Sequence, residues 1–289
     1  MSSSQAAEPH GGGGEPNHAV RFAVLWVVVT VIALPVVIFV IGPLLGPGNG
    51  SEQSGAQGTD YTVLATVATP VLTLVVLYLL YAVTFFRQPK GAALEGPAIR
   101  GDARVQTTWI IITSLLVLGL AAFGTVRLET NYGSGSGSGP SPLTVPKGPK
   151  LPVQVIAQQW LFTYRYPTYG GVETRQLYLP KGEMVELHVT SIDVIHSFWA
   201  YKLGVKADAN PGVDNVAFVR PTKLMSFGVR CAELCGVWHG YMYNNENRVV
   251  TPAAFLAWIH AQQKRLAPAT KVLPPYAKTY IPEPSRRGE

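Results

Sequence analysis

The twelve residues Cys231-Ala-Glu-Leu-Cys235-Gly-Val-Trp-His239-Gly-Tyr-Met242 decide how this 289-residue chain is read. They follow a β-rich run over 225–230 and gather two cysteines, a histidine and a methionine in one short stretch. A Cys-x-x-x-Cys pair alone has two readings: a disulfide in an oxidising compartment, or a pair of metal-binding thiolates. A disulfide needs neither the histidine four residues past the second cysteine nor the methionine seven past it. Zinc would take the cysteines and the histidine but has no use for a thioether. Thiolate, imidazole and thioether together suit copper. A site with one copper needs one cysteine, so the second implies more: two thiolates can bridge two copper ions, with one histidine on each and further donors completing the coordination. The second histidine is available in Ile195-His196-Ser197-Phe198-Trp199, just after a β-rich run. In a sandwich, a ligand at one strand end and a cluster in a later loop can meet at one pole.

Short runs enriched in Val, Tyr, Phe and Thr, at 151–157, 174–179, 184–190, 215–219 and 225–230, surround these residues. Their spacing predicts a β-sandwich or barrel of about 100 residues, over 151–251. An amphipathic helix is expected over 252–266, with Phe255, Leu256 and Ile259 on one face, and then an extended Pro-rich tail to 289. Upstream, residues 131–150 form a flexible Gly/Ser/Pro tether that includes the alternating Gly133 to Gly139 run.

Earlier still, three apolar stretches at 19–45, 61–86 and 107–126 each reach the roughly 20 residues that span a bilayer. Arg21 is the one charged residue inside them, and Pro35 and Pro70 are expected to kink their helices. Only 14% of the chain is charged, against roughly 25% in an ordinary soluble protein, which excludes a fully soluble one. The 87–106 loop carries Arg87, Lys90, Arg100 and Arg104, whereas 46–60 has no Lys or Arg. The positive-inside rule puts the former in the cytoplasm and the latter outside, so everything after the third span is extracytoplasmic. The first stretch reads either as a retained helix or as a cleaved secretory signal, and residues 1–18 as disordered. After residue 140 there are 17 basic and 10 acidic residues, a net +7, without a basic run. That distribution argues against a nucleic-acid partner.

The assembled motifs closely resemble subunit II of haem–copper cytochrome c oxidases of bacterial type. Cys-x-Glu-x-Cys-Gly-x-x-His-x-x-Met is complete from Cys231 to Met242; His196-Ser197-Phe198, Leu203 to Asp208 and Pro211-Gly212 match the neighbouring segments. The resemblance covers about residues 60 to 265. It implies a membrane-anchored, extracytoplasmic cupredoxin-like β-sandwich with a dinuclear copper centre, CuA. Cys231 and Cys235 would bridge the coppers, His196 and His239 would bind one each, and Met242 and the backbone carbonyl of Glu233 would be weak ligands. The Glu233 carboxylate would reach a magnesium ion shared with subunit I. Trp160, in Gln158-Gln159-Trp160-Leu161-Phe162-Thr163-Tyr164, corresponds to the residue where the electron arrives; without the resemblance it reads as a core aromatic. The partners implied are subunits I and III, a cytochrome c or membrane-held cytochrome, and the lipid of the bacterial plasma membrane.

Three departures from the family pattern stand out. Gln106, in Gln106-Thr107-Thr108-Trp109, replaces a glutamate at a proton channel, so that route needs another group such as Asp102, Glu95 or a residue of subunit I. Tyr201 stands where proline is common and Val213 where arginine is. The extracytoplasmic part is basic, with Arg165 where an acid is common, which suggests an acidic or membrane-held donor. His188 and His260 read as packing or surface residues, Met184 and Met225 as core or edge, Asp193 and Asp214 as turn formers, and His10 and His18 as part of the disordered start. Nitrous oxide reductase lacks membrane spans, and quinol oxidase subunit II lacks the copper ligands. A membrane-anchored copper chaperone, the alternative of a different class, binds one ion and must release it.

Overall fold

The computed structural model describes residues 17–87, 101–130, 134–135 and 145–272. The expectations for residues 1–16, most of the tether and the 273–289 tail lie outside them. In the three long apolar stretches every backbone group must be satisfied within its own segment, which dictates helix. Helix α1 (His18–Val36) continues through a π-helical turn (Val37–Ile41) into α2 (Gly42–Leu45); α3 covers Glu52–Phe85 and α4 Ala103–Thr130. All three spans are long and apolar enough to cross a membrane.

Helix α4 opens at Ala103, inside the expected 87–106 loop, and runs past residue 126, and two further boundaries differ from the sequence reading. His18, assigned to the disordered start, is the first residue of α1, where the Asn17 side chain caps the helix and His18 Nδ1 lies 2.8 Å from the Tyr81 hydroxyl. Residues 52–60, read as loop, are helical because Ser51 and Ser54 form a reciprocal capping box. Helix α1 packs along α3 through Trp26 Nε1 donating to the Pro70 carbonyl (2.9 Å) and a Thr30–Thr73 hydroxyl contact (2.7 Å). By contrast, the apolar stretch of α4 is not buried by any of the described residues. Arg127 ties its outer end to Asp60 and to the Ala56 carbonyl of α3.

The sandwich consists of β1 (Ser134–Gly135), β2 (Leu151–Gln158), β3 (Leu161–Tyr166), β4 (Val172–Thr174), β5 (Tyr178–Pro180), β6 (Val185–Ser191), β7 (His196–Ala200), β8 (Val205–Ala209), β9 (Asn215–Val219), β10 (Met225–Cys231) and β11 (Tyr243–Val250), followed by α5 (Pro252–Val272). One sheet has the order β1-β8-β7-β10-β11-β5 and the other β4-β3-β2-β6-β9. This is the expected cupredoxin-like arrangement. The single strand expected over 174–179 is two strands in different sheets. The chain crosses between them because Thr174 Oγ1 donates to the Gln176 carbonyl (2.7 Å) and the Leu177 N–H to Asn247 Oδ1 (2.8 Å). Helix α5 runs beyond residue 266. It buries Phe255 and Ile259, but Leu256, expected on the same face, is exposed.

Alternating residues of β2, β3, β6 and β7 fill the core, where Phe198 meets Phe162 and Tyr164 edge-on. The start of α3 is fastened to this domain: Ser51 Oγ donates to the Leu203 carbonyl (2.6 Å), Gln57 Nε2 to the Gly204 carbonyl (2.8 Å), and the Arg220 N–H to Gln53 Oε1 (2.9 Å). Gly204, at φ +63°, allows this approach, since a Cβ there would lie 2.7 Å from Ser54 backbone atoms. The residues before α3 and the sandwich therefore share one end of the helix.

Fully buried Tyr166 joins the two sheets, its hydroxyl donating to the Tyr178 carbonyl (3.0 Å) and accepting from the Tyr178 N–H (2.9 Å). We expect Tyr166→Phe to strand both groups and lower stability by about 1–3 kcal/mol, read by denaturant unfolding with near-UV circular dichroism.

Candidate metal centre

Adjacent strands bring the sulfur and nitrogen donors together. His196 opens β7 and Cys231 closes β10, and these antiparallel strands pair Phe198 with Cys231. The loop after Cys231 folds back on itself: the Cys231 N–H donates to the Met242 carbonyl (3.0 Å) and the Ala232 N–H to the Ser197 carbonyl (2.9 Å). A 3-10 turn, His239–Tyr241, then aims His239 and Met242 inward. Gly236, at φ +116°, makes the tight turn that lets the loop lie under Trp160; a Cβ there would come within 3.0 Å of Gln159 Nε2.

Cys231 Sγ and Cys235 Sγ stand 3.7 Å apart. That is far beyond the roughly 2.05 Å of a disulfide, and both cysteines are free. His196 Nδ1 lies 3.8 Å from Cys231 Sγ, and His239 Nδ1 3.4 Å from Cys235 Sγ. Met242 Sδ is 3.7 Å from Cys235 Sγ, and the Glu233 carbonyl oxygen 3.1 Å from Cys231 Sγ. The ligand atoms of His196, Cys231 and Cys235 lie within 4.8 Å of one another. His196, Cys235 and Met242 are buried, His239 half-buried, and the Glu233 side chain exposed. All six residues singled out in the sequence thus converge.

Burial, reinforced by the neighbouring Cys231, pushes the Cys235 thiol up to about 12. Two thiolates this close in a low-dielectric pocket repel each other unless a cation lies between them. A soft cation displaces the protons, and thiolate, imidazole and thioether donors are those that copper favours.

The sequence reading missed what surrounds these donors. Asp193, read as a turn former, accepts from His196 Nε2 at 2.9 Å. That bond fixes the ring and leaves the Nδ1 lone pair facing the thiols. Burial alone would raise the Asp193 carboxyl, but donors from Gln159, His196, Val194 and Ser191 outweigh it and hold the carboxyl below its ordinary value. The Asp-x-x-His spacing was the available signal. Likewise Asp214 bonds His188 Nδ1 (3.0 Å), so that histidine is a buried, paired residue. Trp160 is half-buried and packs on the core, but its indole N–H also donates to the carbonyl of Cys235 (3.2 Å), as does Gln159 Nε2 (2.8 Å). Trp238, 58% exposed, stacks on Trp160 with centroids 6.1 Å apart. Among the departures, Arg165 is neutralised by Glu173 (2.8 Å), and Asp102 is engaged as the N-cap of α4.

Because Asp193 orients a ligand without being one, Asp193→Ala should weaken copper binding by about 10–100-fold rather than abolish it. Competition against a copper chelator of known affinity measures this.

Comparison with known proteins agrees with this chemistry. The family described as cytochrome C oxidase subunit II, periplasmic domain, matches residues 172–249. Cytochrome c oxidase subunit 2 of Thermostichus vulcanus is 26% identical over 90% of this chain and 91% of its own. The Mycobacterium tuberculosis subunit 2 is 39% identical over 41% of this chain and 35% of its own. The solved periplasmic domain of subunit II from Bradyrhizobium japonicum is 30% identical, with 42% of this chain covering 99% of that one at a TM-score of 0.40. This membrane-anchored chain, with a donor set that suits copper, belongs to the cytochrome c oxidase subunit II family.

Proposed function

We propose that this chain is the electron-accepting subunit of a respiratory cytochrome c oxidase in a bacterial plasma membrane. It takes electrons from a cytochrome c at a dinuclear CuA centre and hands them to the haem of subunit I, where oxygen is reduced to water. The observation that carries this reading is the two-fold character of the donor set. Each thiol has its own imidazole, His196 beside Cys231 and His239 beside Cys235, with the Glu233 carbonyl on the first side and Met242 on the second. A chaperone that releases one ion needs no such duplication. When bound, a copper pair supplies a one-electron relay.

The residues of the chain do the rest. The β7–β10 pairing and the backbone bonds of the loop fix the donors before metal arrives, so little rearrangement accompanies a change of charge. Burial of His196, Cys235 and Met242 keeps water away. Trp160 is the residue that first receives the electron: it is reachable from solvent, stacks on exposed Trp238 and is one hydrogen bond from the Cys235 backbone. The exposed Glu233 carboxylate is available for a magnesium ion at the junction with subunit I. Ile195, Leu234 and Val237 are exposed around the donors and fit a partner subunit over this pole. The uncovered faces of α4 suit lipid and the helices of subunits I and III. The lysines and arginines of 87–106 support a cytoplasmic loop there, with the sandwich outside.

In the purified oxidase, Trp160→Ala should slow reduction by cytochrome c by about tenfold or more while copper content stays unchanged. Rapid-mixing kinetics beside copper analysis give the result, and an unaltered rate contradicts the role of Trp160.

A further inference from the structure

Trp160 also forms one edge of a groove of about 720 Å³ enclosed by β3, the 174–176 bend, β11 and α5. Aromatic rings of Tyr241, Tyr243 and Trp258 line it together with the guanidinium groups of Arg175 and Arg265. Glu246 is the one acid in the lining, and its carboxylate accepts from Gln176 Nε2 at 2.8 Å. The α5 wall has no acidic residue from Pro252 to Val272 but carries Lys264, Arg265 and Lys271. Both lining arginines are exposed. Neither makes an ion pair among the described residues, unlike neighbouring Arg165 with Glu173. Cations on low-dielectric aromatic walls focus a positive potential that attracts an anionic surface and repels a cationic one.

We propose that this groove receives an acidic face of the electron-donating haem protein, with Arg175 and Arg265 as its charge contacts. The inference rests on the reading above that electrons arrive at Trp160, and it adds the sign of the partner. A carboxylate-bearing ridge seated between β11 and α5 comes against the indole whose N–H reaches the Cys235 carbonyl. The two arginines set the approach and register of the donor, while Trp160 sets the transfer that follows.

The test uses the full-length chain in detergent and two soluble monohaem cytochromes c as probes, one of net negative and one of net positive charge. Binding is measured on the copper-free chain by calorimetry, and reduction on the copper-loaded chain by rapid mixing, both at low and high salt. We expect the acidic probe to bind more tightly and react faster, with both advantages falling as salt rises. Arg175→Glu with Arg265→Glu should weaken binding of the acidic probe and slow its reaction by about tenfold or more, favour the basic probe, and leave copper content unchanged. Tighter binding of the basic probe to the unaltered chain overturns the proposal, and so does a double variant that binds both probes as before. Trp160→Ala separates the two readings. If it leaves the rate unchanged while the charge reversal still weakens binding, the groove stands and the role of Trp160 falls. If it slows transfer while the charge reversal changes nothing, the groove falls and Trp160 stands.

Discussion

Two thiols are held 3.7 Å apart, largely out of water and unbonded to each other, and the rest of the molecule serves that constraint. Left alone, such a pair either oxidises to a disulfide or stays protonated, and the elevated position of the Cys235 thiol shows how strongly burial favours the proton. A soft cation resolves the conflict, and the imidazole and thioether donors on either side complete a shell for one. Adjacent strands β7 and β10 are needed because one ligand comes before the cysteines by 35 residues and must still reach Cys231. The folded-back loop is needed because four further donors come from a single short stretch. The sandwich core beneath, with Phe198 packed two residues along from His196, makes the base of the site rigid.

A second constraint sets where the site sits. The opening turns of α3 bond to the 203–204 and 220 backbone, so the domain is fixed at the end of a long apolar helix. The α1–α3 pair is knitted by Trp26 and by the Thr30–Thr73 contact, whereas the apolar faces of α4 are left uncovered by the described residues. Anchor and sandwich together hold the donor pole at a set distance from the apolar stretch of α3.

The donors were legible because metal chemistry restricts residue type and spacing: Cys231 to Met242 and His196 announce themselves without any fold. The spans were legible because the bilayer requires long apolar runs. What escaped were interactions that depend on three dimensions. Asp193 and Asp214 look like turn residues in the sequence, yet each holds a buried histidine. Thr174 to Leu179 reads as one strand, but side-chain bonds from Thr174 and Asn247 carry the chain from one sheet to the other. The polar start of α3 reads as loop, since its helicity comes from the Ser51–Ser54 capping box and from docking on the sandwich. Arg165 stands where an acid is common in the family pattern, yet Glu173 on the neighbouring strand pairs with it.

In the function proposed above, the paired donors hold two metal ions that act as one redox unit. Copper per chain, measured on the copper-loaded protein together with its electron paramagnetic resonance spectrum, tests that directly. Two coppers per chain sharing one unpaired electron, with hyperfine splitting from two equivalent nuclei, are expected. A single copper with the splitting of one nucleus, or a Cys231–Cys235 disulfide in a chain that takes up no copper, would contradict it.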